Sequence, residues 1–301
     1  MTSTNSKKII LDVDTGIDDA LAIIFLYPYL AKNIIGITTC GGNVSVDQTT
    51  RNTLAVLSLL KSNIPVYKGA TKPLAKKSFV YAKYYHGKNG LADIKLKNKL
   101  AIQKDSATDF IIKATKKYPG LTIVTTAPPT NIARAIKKDK TVAKRIKKIY
   151  LMGGAINVKG NESDFAETNF FQDPEAVKLI LQNFSDINII SLDVTNKTLI
   201  TKSDLKKIKN NSPAGLFSRQ SITNWFELFG DKKNRQFELY DPLAVSAVFK
   251  NFLSFTKIKI DIDTKNNIGQ LVKGPYTIKY ANKVKTAEFK NFLIKTINRY
   301  S

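Results

Sequence analysis

The run Ile9-Ile10-Leu11-Asp12-Val13-Asp14-Thr15-Gly16-Ile17-Asp18-Asp19 constrains this chain more than any other segment: an apolar, β-rich stretch ends in four carboxylates within eight residues. Side chains alternate along a strand with a period of two, so Asp12 and Asp14 leave a buried strand on one face at its carboxyl end. Gly16 permits a tight turn, and Asp18 and Asp19 then open a helix whose N-terminal dipole favours negative charge. A single Asp here would be an ordinary helix cap. Four converging carboxylates repel one another and require a cation or protonation.

Strand-like and helix-like patterns alternate after this opening. Short apolar runs at 8–13, 34–39, 121–126, 149–152 and 187–194 read as buried strands. Helical spacing appears at 18–30, at 46–60 with Asp47 near its start, and at 106–118, 130–138 and 174–181. Such alternation predicts an α/β fold with an open, mostly parallel sheet flanked by helices. No repeat or linker interrupts the pattern, so 1–301 reads as one domain. The stretches 69–104 and 195–240 read as irregular, 257–280 as a hairpin region and 286–299 as a closing helix. Long loops over strand ends are where such folds place substrate contacts. No apolar run reaches the roughly 18–20 residues that cross a bilayer, and the polar opening Met1–Ser6 does not read as a signal peptide.

Two chemistries use an acidic cluster of this kind. Asp12 can attack a phosphate with Asp14 as acid and base, as in Asp-x-Asp phosphatases. Alternatively the carboxylates hold a cation and a water, and one Asp takes a proton from that water. Asp18-Asp19 does not belong to the phosphatase pattern. Composition narrows the cation: with one His (His86) and one Cys (Cys40), a zinc site of several His and Cys is not available. Oxygen ligands point to a hard cation such as Ca²⁺ or Mg²⁺. The lone Cys40 cannot form an internal disulfide, fits a reducing cytoplasm and reads as a small buried hydrophobe.

The balance of 48 Lys+Arg against 24 Asp+Glu, net +24, invites a nucleic-acid reading. Only six of the basic residues are Arg, the better fork for phosphate, and the lysines are scattered along the chain. Lys137-Lys138, Lys147-Lys148 and Lys206-Lys207 read as solvated helix faces. The make-up and scatter of the charge therefore argue against a functional nucleic-acid surface. A basic nucleic-acid or ligand-binding protein on an inactive scaffold is the alternative from a different class.

The full motif series decides between these chemistries. Asp12-Val-Asp14-Thr-Gly-Ile-Asp18-Asp19-Ala-Leu-Ala-Ile is followed by Gly41-Gly42-Asn43-Val44 with Thr50 and Asn52, then His86-Gly-Lys-Asn89-Gly-Leu91. Thr126-Ala-Pro-Pro-Thr130-Asn131, Met152-Gly153-Gly154, Gly160-Asn161, Ala166-Glu167-Thr168-Asn169 and Asp173-Pro-Glu-Ala176 come next. Leu192-Asp193-Val194-Thr195 and Asp241-Pro-Leu-Ala244 close the series. In this order the chain resembles the inosine-uridine preferring nucleoside hydrolases over essentially its whole length.

That resemblance implies an open α/β sheet with the active site at the carboxyl edge of the strands. It implies a ribonucleoside substrate and a Ca²⁺ held by Asp14, Asp19, the carbonyl of Thr126 and Asp241. A metal-bound water would be activated by Asp14. Asp18, Asn43, Asn161, Glu167 and Asn169, with Asp241 beside them, would bind the ribose, and His86 would lie near the base. A cytoplasmic role in purine or pyrimidine salvage and a homodimer or homotetramer are implied in the same way.

Two positions depart from the family pattern. Many members read His-Asp-Pro-Leu-Ala where this chain has Tyr240-Asp241-Pro242-Leu243-Ala244, and that His is assigned as the acid that protonates a departing purine. Tyr has an ordinary pKa near 10 and matches neutral pH less well as an acid. Thr168 stands where members often carry an apolar aromatic residue. Ribose recognition is expected intact and the leaving-group apparatus altered. Trp225, Phe226 and Phe229 at helical spacing suit the protein core, while the resemblance implies an aromatic flap over the base in this region, and the two readings stand level.

Overall fold

The computed structural model describes residues 7–229 and 236–300, and the opening segment 1–6 lies outside them. The chain begins β1 (Ile9–Val13), α1 (Ile17–Leu30), β2 (Ile34–Thr39), α2 (Val46–Leu59), β3 (Val66–Lys68) and α3 (Lys83–His86). It continues with α4 (Ala107–Lys117), β4 (Leu121–Thr125), α5 (Thr130–Lys138), α6 (Val142–Arg145), β5 (Ile146–Met152), α7 (Thr168–Gln172), α8 (Pro174–Asn183) and β6 (Ile187–Ile190). The remainder is α9 (Leu192–Thr195), β7 (Leu199–Ile200), α10 (Lys202–Leu205), α11 (Pro213–Phe229), β8 (Phe237–Glu238), α12 (Tyr240–Ser246), β9 (Leu253–Ile262), β10 (Leu271–Lys273), β11 (Tyr276–Val284) and α13 (Thr286–Ile297).

Nine strands form one sheet in the order β10-β9-β11-β6-β5-β4-β1-β2-β3. All pairings from β11 across to β3 are parallel, while β9 runs antiparallel to both β11 and β10. Alternation along β1 explains the two cores. Leu11 and Val13 face a layer built with α1, α2, α11, α12 and α13. Ile10 faces the layer of α4, α5 and α8. Helices therefore cover both faces, as a parallel sheet requires. Strand order reverses at β1, whose neighbours are β2 on one side and β4 on the other. The carboxyl ends of β1 and β4 thus form a topological switch point, where such folds open a crevice for ligands.

Several expectations need correction. The stretch 195–240 contains α11, a helix of 17 residues. Its buried positions are Ala214, Gly215, Phe217, Ser218, Ser221, Ile222, Trp225 and Phe226, a helical spacing hidden in the sequence because two of them are serines. Those hydroxyls donate to Ala214 O at 2.7 Å and Ser218 O at 3.2 Å, which makes their burial tolerable. The expected strand at 187–194 ends at Ile190, because Asp193 draws the next turn onto Ile156 N and Asn157 N at 3.0 and 2.9 Å. The short β3 was not expected. Lys147-Lys148 lie on β5 and Lys206-Lys207 in a turn after α10, so only Lys137-Lys138 belongs to a helix. Cys40 is buried beside Ala70 and Ala127, as a small hydrophobe would be. Among the described residues, no helix is long and apolar enough to cross a membrane.

Candidate active site

The acidic segment folds as its spacing demands. Asp12 is the fourth residue of β1, Asp14 lies just beyond the strand, and Asp18 and Asp19 occupy the first turn of the buried helix α1. Asp19 Oδ2 accepts the N–H of Gly16 at 2.9 Å, so this carboxylate also caps the helix. Its Oδ1 accepts the hydroxyl of Thr126 at 2.6 Å, tying α1 to the end of β4. Asp14 Oδ2 accepts the N–H of Asn43 at 2.8 Å, and Asn43 Nδ2 donates to Asp14 O and Asp19 Oδ2, each at 3.2 Å.

These groups open into a cavity of about 280 Å³ at the carboxyl edge of the sheet. Of the residues singled out from the sequence, Asp14, Asp18, Asn43, His86, Thr126, Asn161, Glu167, Asn169, Tyr240 and Asp241 all line it. Asp19 sits directly beneath, fully buried. The turn after β5 needs Gly154 at φ +80, and its N–H donates to Glu167 Oε2 at 3.0 Å. Glu167 Oε1 accepts the N–H of Asn169 at 2.9 Å, and Asn169 Nδ2 donates to the carbonyl of Thr126 at 2.8 Å. Asn161 Oδ1 accepts the N–H of Thr168 at 3.0 Å.

The electrostatics are one-sided. Among the described residues no Lys or Arg lines the cavity, in a chain that carries 48 of them. Burial first, and then repulsion among the carboxylates, pushes Asp14, Asp18 and Asp241 above the ordinary carboxyl range. Burial likewise raises Asp19, against the hydrogen bonds it accepts. Glu167 is raised to about 7, again by burial. Asp18, Asp19 and Asp241 each bring an oxygen within 4.8 Å of the others. Asp18 Oδ1 is buried with no hydrogen-bond donor on it. Buried, converging, oxygen-only and short of positive charge, this set can hold a metal ion and suits a hard one. The tight triad contains Asp18, whereas the ligand set expected from the sequence counted Asp14, which here lies beside the triad.

His86 ends α3, and its Nδ1 accepts the N–H of Ile17 at 3.2 Å, which places the proton of a neutral ring on Nε2. Burial lowers its pKa to about 3. Burial raises the phenol of Tyr240 well above its usual value. Trp225 both lines the cavity and packs edge-on to Tyr85 and Phe237, at 5.5 and 5.3 Å between ring centres, so it is wall and core together. The side chain of Phe229 lies outside the described residues.

Asp12 has another job. It is fully buried, does not line the cavity, and accepts from Thr38 Oγ1 at 2.6 Å, Asn131 Nδ2 at 2.8 Å and Thr125 Oγ1 at 3.2 Å. A carboxylate held by donors from three elements and shut off from the cavity is no nucleophile, which removes the phosphatase alternative. Asn131, Asp173, Asn52 and Asp193 likewise serve the scaffold. Asn52 Nδ2, for example, donates to Thr15 O and Asn89 O at 2.9 and 2.8 Å.

Tyr84, Tyr85 and Glu238, which no sequence motif singles out, also line the cavity. Tyr85 donates to Glu238 Oε2 at 2.5 Å. The first two immediately precede His86 and Glu238 lies one strand period before Tyr240, which is the signal that could have found them. Gly42 is equally informative. A Cβ there would overlap Asp14 Oδ2. Gly42→Ala is therefore expected to cut turnover by roughly tenfold to a hundredfold through displacement of Asp14, with the circular dichroism spectrum unchanged.

Residues 9–291 match the family model described as inosine-uridine preferring nucleoside hydrolase. The chain is 36% identical over 265 residues to uridine nucleosidase 1 of Arabidopsis thaliana, covering 86% of this chain and 79% of that protein. It is 36% identical over 242 residues to the pyrimidine-specific ribonucleoside hydrolase RihB of Escherichia coli (strain SE11), covering 78% and 73% respectively. Among solved structures, the purine-preferring ribonucleoside hydrolase from Gardnerella vaginalis superposes with a TM-score of 0.91 at 34% identity, over 97% of this chain and 98% of that one. Fold, motif order and an acidic cavity at the switch point thus agree with a match spanning nearly the whole sequence, and the chain belongs to the inosine-uridine preferring nucleoside hydrolase family, enzymes that hydrolyse the N-glycosidic bond of ribonucleosides.

Proposed function

We propose that this nucleoside hydrolase works with a bound Ca²⁺ held by Asp14, Asp19, Asp241 and the carbonyl of Thr126, and that Asp14 is the base that takes a proton from the attacking water. The observation that carries this reading is the cavity itself: buried carboxylates converge where, among the described residues, no Lys or Arg lines the wall. Bound there, Ca²⁺ supplies positive charge that offsets carboxylate repulsion and makes a nearby water more acidic.

The remaining work falls to the side chains. Asp18, Asn43, Asn161, Glu167 and Asn169 grip the ribose hydroxyls and hold C1′ against the water. As the bond from C1′ to the base stretches, positive charge grows on the ribose, and the surrounding carboxylates stabilise it. The water oxygen bonds to C1′, its proton passes to an Asp14 carboxylate oxygen, and the bonding pair leaves with the base. That base must regain a proton or share its charge through hydrogen bonds. His86 and Tyr240 stand at this end, both as neutral donors rather than acids matched to pH 7.

The leaving-group side thus favours uridine or cytidine over inosine. The relatives from Arabidopsis and E. coli are named for uridine and pyrimidines, while the Gardnerella enzyme is named for purines. We take 1–301 as one α/β domain that acts as a homodimer or homotetramer in cytoplasmic nucleoside salvage. A panel of nucleosides with a free-ribose assay tests the activity, and a Ca²⁺-selective chelator tests the cofactor. The chelator is expected to stop ribose release and added Ca²⁺ to restore it. Full activity in metal-free protein would sink the cation assignment. Ribose from none of the nucleosides, with tight salt-sensitive RNA binding instead, would favour the binding-protein alternative.

A further inference from the structure

A second cavity, of about 630 Å³, opens at the amino end of the sheet. Lys7 and Lys8 enter it just before β1, Lys117 from the end of α4, and Lys147 and Lys148 from the start of β5. Five lysines line it and, among the described residues, no carboxylate does. β1 spans five residues, which at about 3.3 Å each separates this cavity from the acidic one by roughly 15–20 Å. The two sites share a strand and cannot share one small ligand.

The lysines are gathered in pairs on aromatic rings. The ammonium groups of Lys7 and Lys148 lie 5.6 and 5.8 Å from the centre of the Tyr150 ring. Those of Lys8 and Lys117 lie 6.0 and 5.3 Å from the centre of Tyr118. A ring attracts a cation, but two cations on one ring repel each other. Lys148 finds partial relief from Asp186 at 3.7 Å, a carboxylate that Lys279 approaches more closely, at 2.9 Å. Among the described residues, Lys7, Lys8, Lys117 and Lys147 form no ion pair. Burial, then Lys148 and Lys147, holds the Lys7 ammonium below the usual lysine range.

We propose that this lysine cavity is a second ligand site, which takes a small molecule carrying a chain of phosphates, such as a nucleoside triphosphate or inorganic tripolyphosphate. A single phosphate brings a charge of about −1.5 to −2. A chain of three brings roughly twice that and spans more of the five ammonium groups. The lysines act as hydrated point charges, which suits oxygens spread along a flexible chain better than the bidentate grip of Arg. The shape is a half-open concavity within the roughly 300–1,000 Å³ range of small-molecule sites, not the long basic stripe that tracks a nucleic-acid backbone. Half-buried Tyr118 rims the cavity and offers a ring on which a base can stack.

Calorimetry on the full chain tests the site. Tripolyphosphate is expected to bind at one site at least roughly tenfold more tightly than orthophosphate, and a Lys117→Glu/Lys147→Glu variant to lose at least roughly tenfold of that affinity. Nucleoside hydrolysis by the variant, measured without polyphosphate, should match the parent and show that it is folded. Lys117→Gln/Lys147→Gln should give an intermediate loss. ATP binding more tightly than tripolyphosphate, with the excess removed by Tyr118→Ala, identifies a nucleotide as the ligand; equal affinities identify the phosphate chain alone. The proposal is overturned by absence of saturable binding or by affinity that survives charge reversal. Single-stranded RNA that binds through these lysines without competition from tripolyphosphate would overturn it too.

Discussion

Asp14→Asn is expected to leave the protein folded and to lower nucleoside turnover by at least roughly three orders of magnitude. The substitution is nearly isosteric, and Asn Oδ1 can still accept the N–H of Asn43 that now reaches Asp14 Oδ2 at 2.8 Å. On the proposed mechanism, what disappears is one negative charge beside the developing ribosyl cation and the oxygen that would receive the water's proton. The matched control is Asp12→Asn. There an amide NH₂ would face at least one of the three donors that Asp12 accepts, from Thr38, Asn131 and Thr125. A buried polar mismatch of that kind costs about 1–3 kcal/mol, so this variant should melt earlier while keeping the chemistry of its folded fraction. Free-ribose release and thermal melts on both variants separate the roles. Near-normal turnover in Asp14→Asn would remove it as the base, and abolished turnover in a well-folded Asp12→Asn would return the chemistry to the first Asp.

Much of this was legible because acidic and apolar patterns coincide at one place. A buried strand that ends in Asp-x-Asp and turns through Gly16 into Asp18-Asp19 specifies both an α/β fold and the end of the sheet that carries the site. Parallel strands announce themselves as apolar runs, as β1, β2, β4 and β5 do. What stayed hidden lacks a local signature. The burial of Asp12 is decided by Thr38, Thr125 and Asn131, which arrive from other parts of the chain. The helix α11 buries Ser218 and Ser221 on the face that periodicity needs to be apolar. The parallel docking of β11 beside β6 joins segments about 90 residues apart, and no local pattern encodes it. Lys147-Lys148 looked like one more solvated pair until β5 placed it beside Lys7 and Lys8. Side chains of ordinary type acquire a role only through the company the fold gives them.

The widest consequence for substrate choice rests on Tyr240, and Tyr240→His is expected to raise inosine hydrolysis by roughly a hundredfold while changing uridine hydrolysis little. Purines depart best when a ring nitrogen is protonated as the bond breaks. Pyrimidines depend more on hydrogen bonds to their carbonyls and on stabilisation of the ribosyl cation. In this cavity neither candidate donor is charged at neutral pH. Burial raises the Tyr240 phenol and lowers the His86 imidazole to about 3, while the N–H of Ile17 on Nδ1 fixes that ring as a neutral Nε2–H donor. General acid catalysis contributes typically about 10²–10⁴-fold, and it acts in the transition state, so its restoration should appear in kcat more than in KM. An imidazole at position 240 has an ordinary pKa near 6.5; burial there lowers it, and the negative charge of Glu238, which already helps to raise the Tyr240 phenol, opposes that by favouring the protonated ring. The parent enzyme should accordingly turn over uridine and cytidine faster than inosine, and Tyr240→Phe should trim the pyrimidine rates by no more than a lost hydrogen bond. A parent that already prefers inosine, with Tyr240→Phe silent, would refute this account of the leaving group and leave the cation and ribose assignments standing, because those depend on Asp14, Asp19, Asp241 and the Asn-Glu rim rather than on any proton delivered to the base.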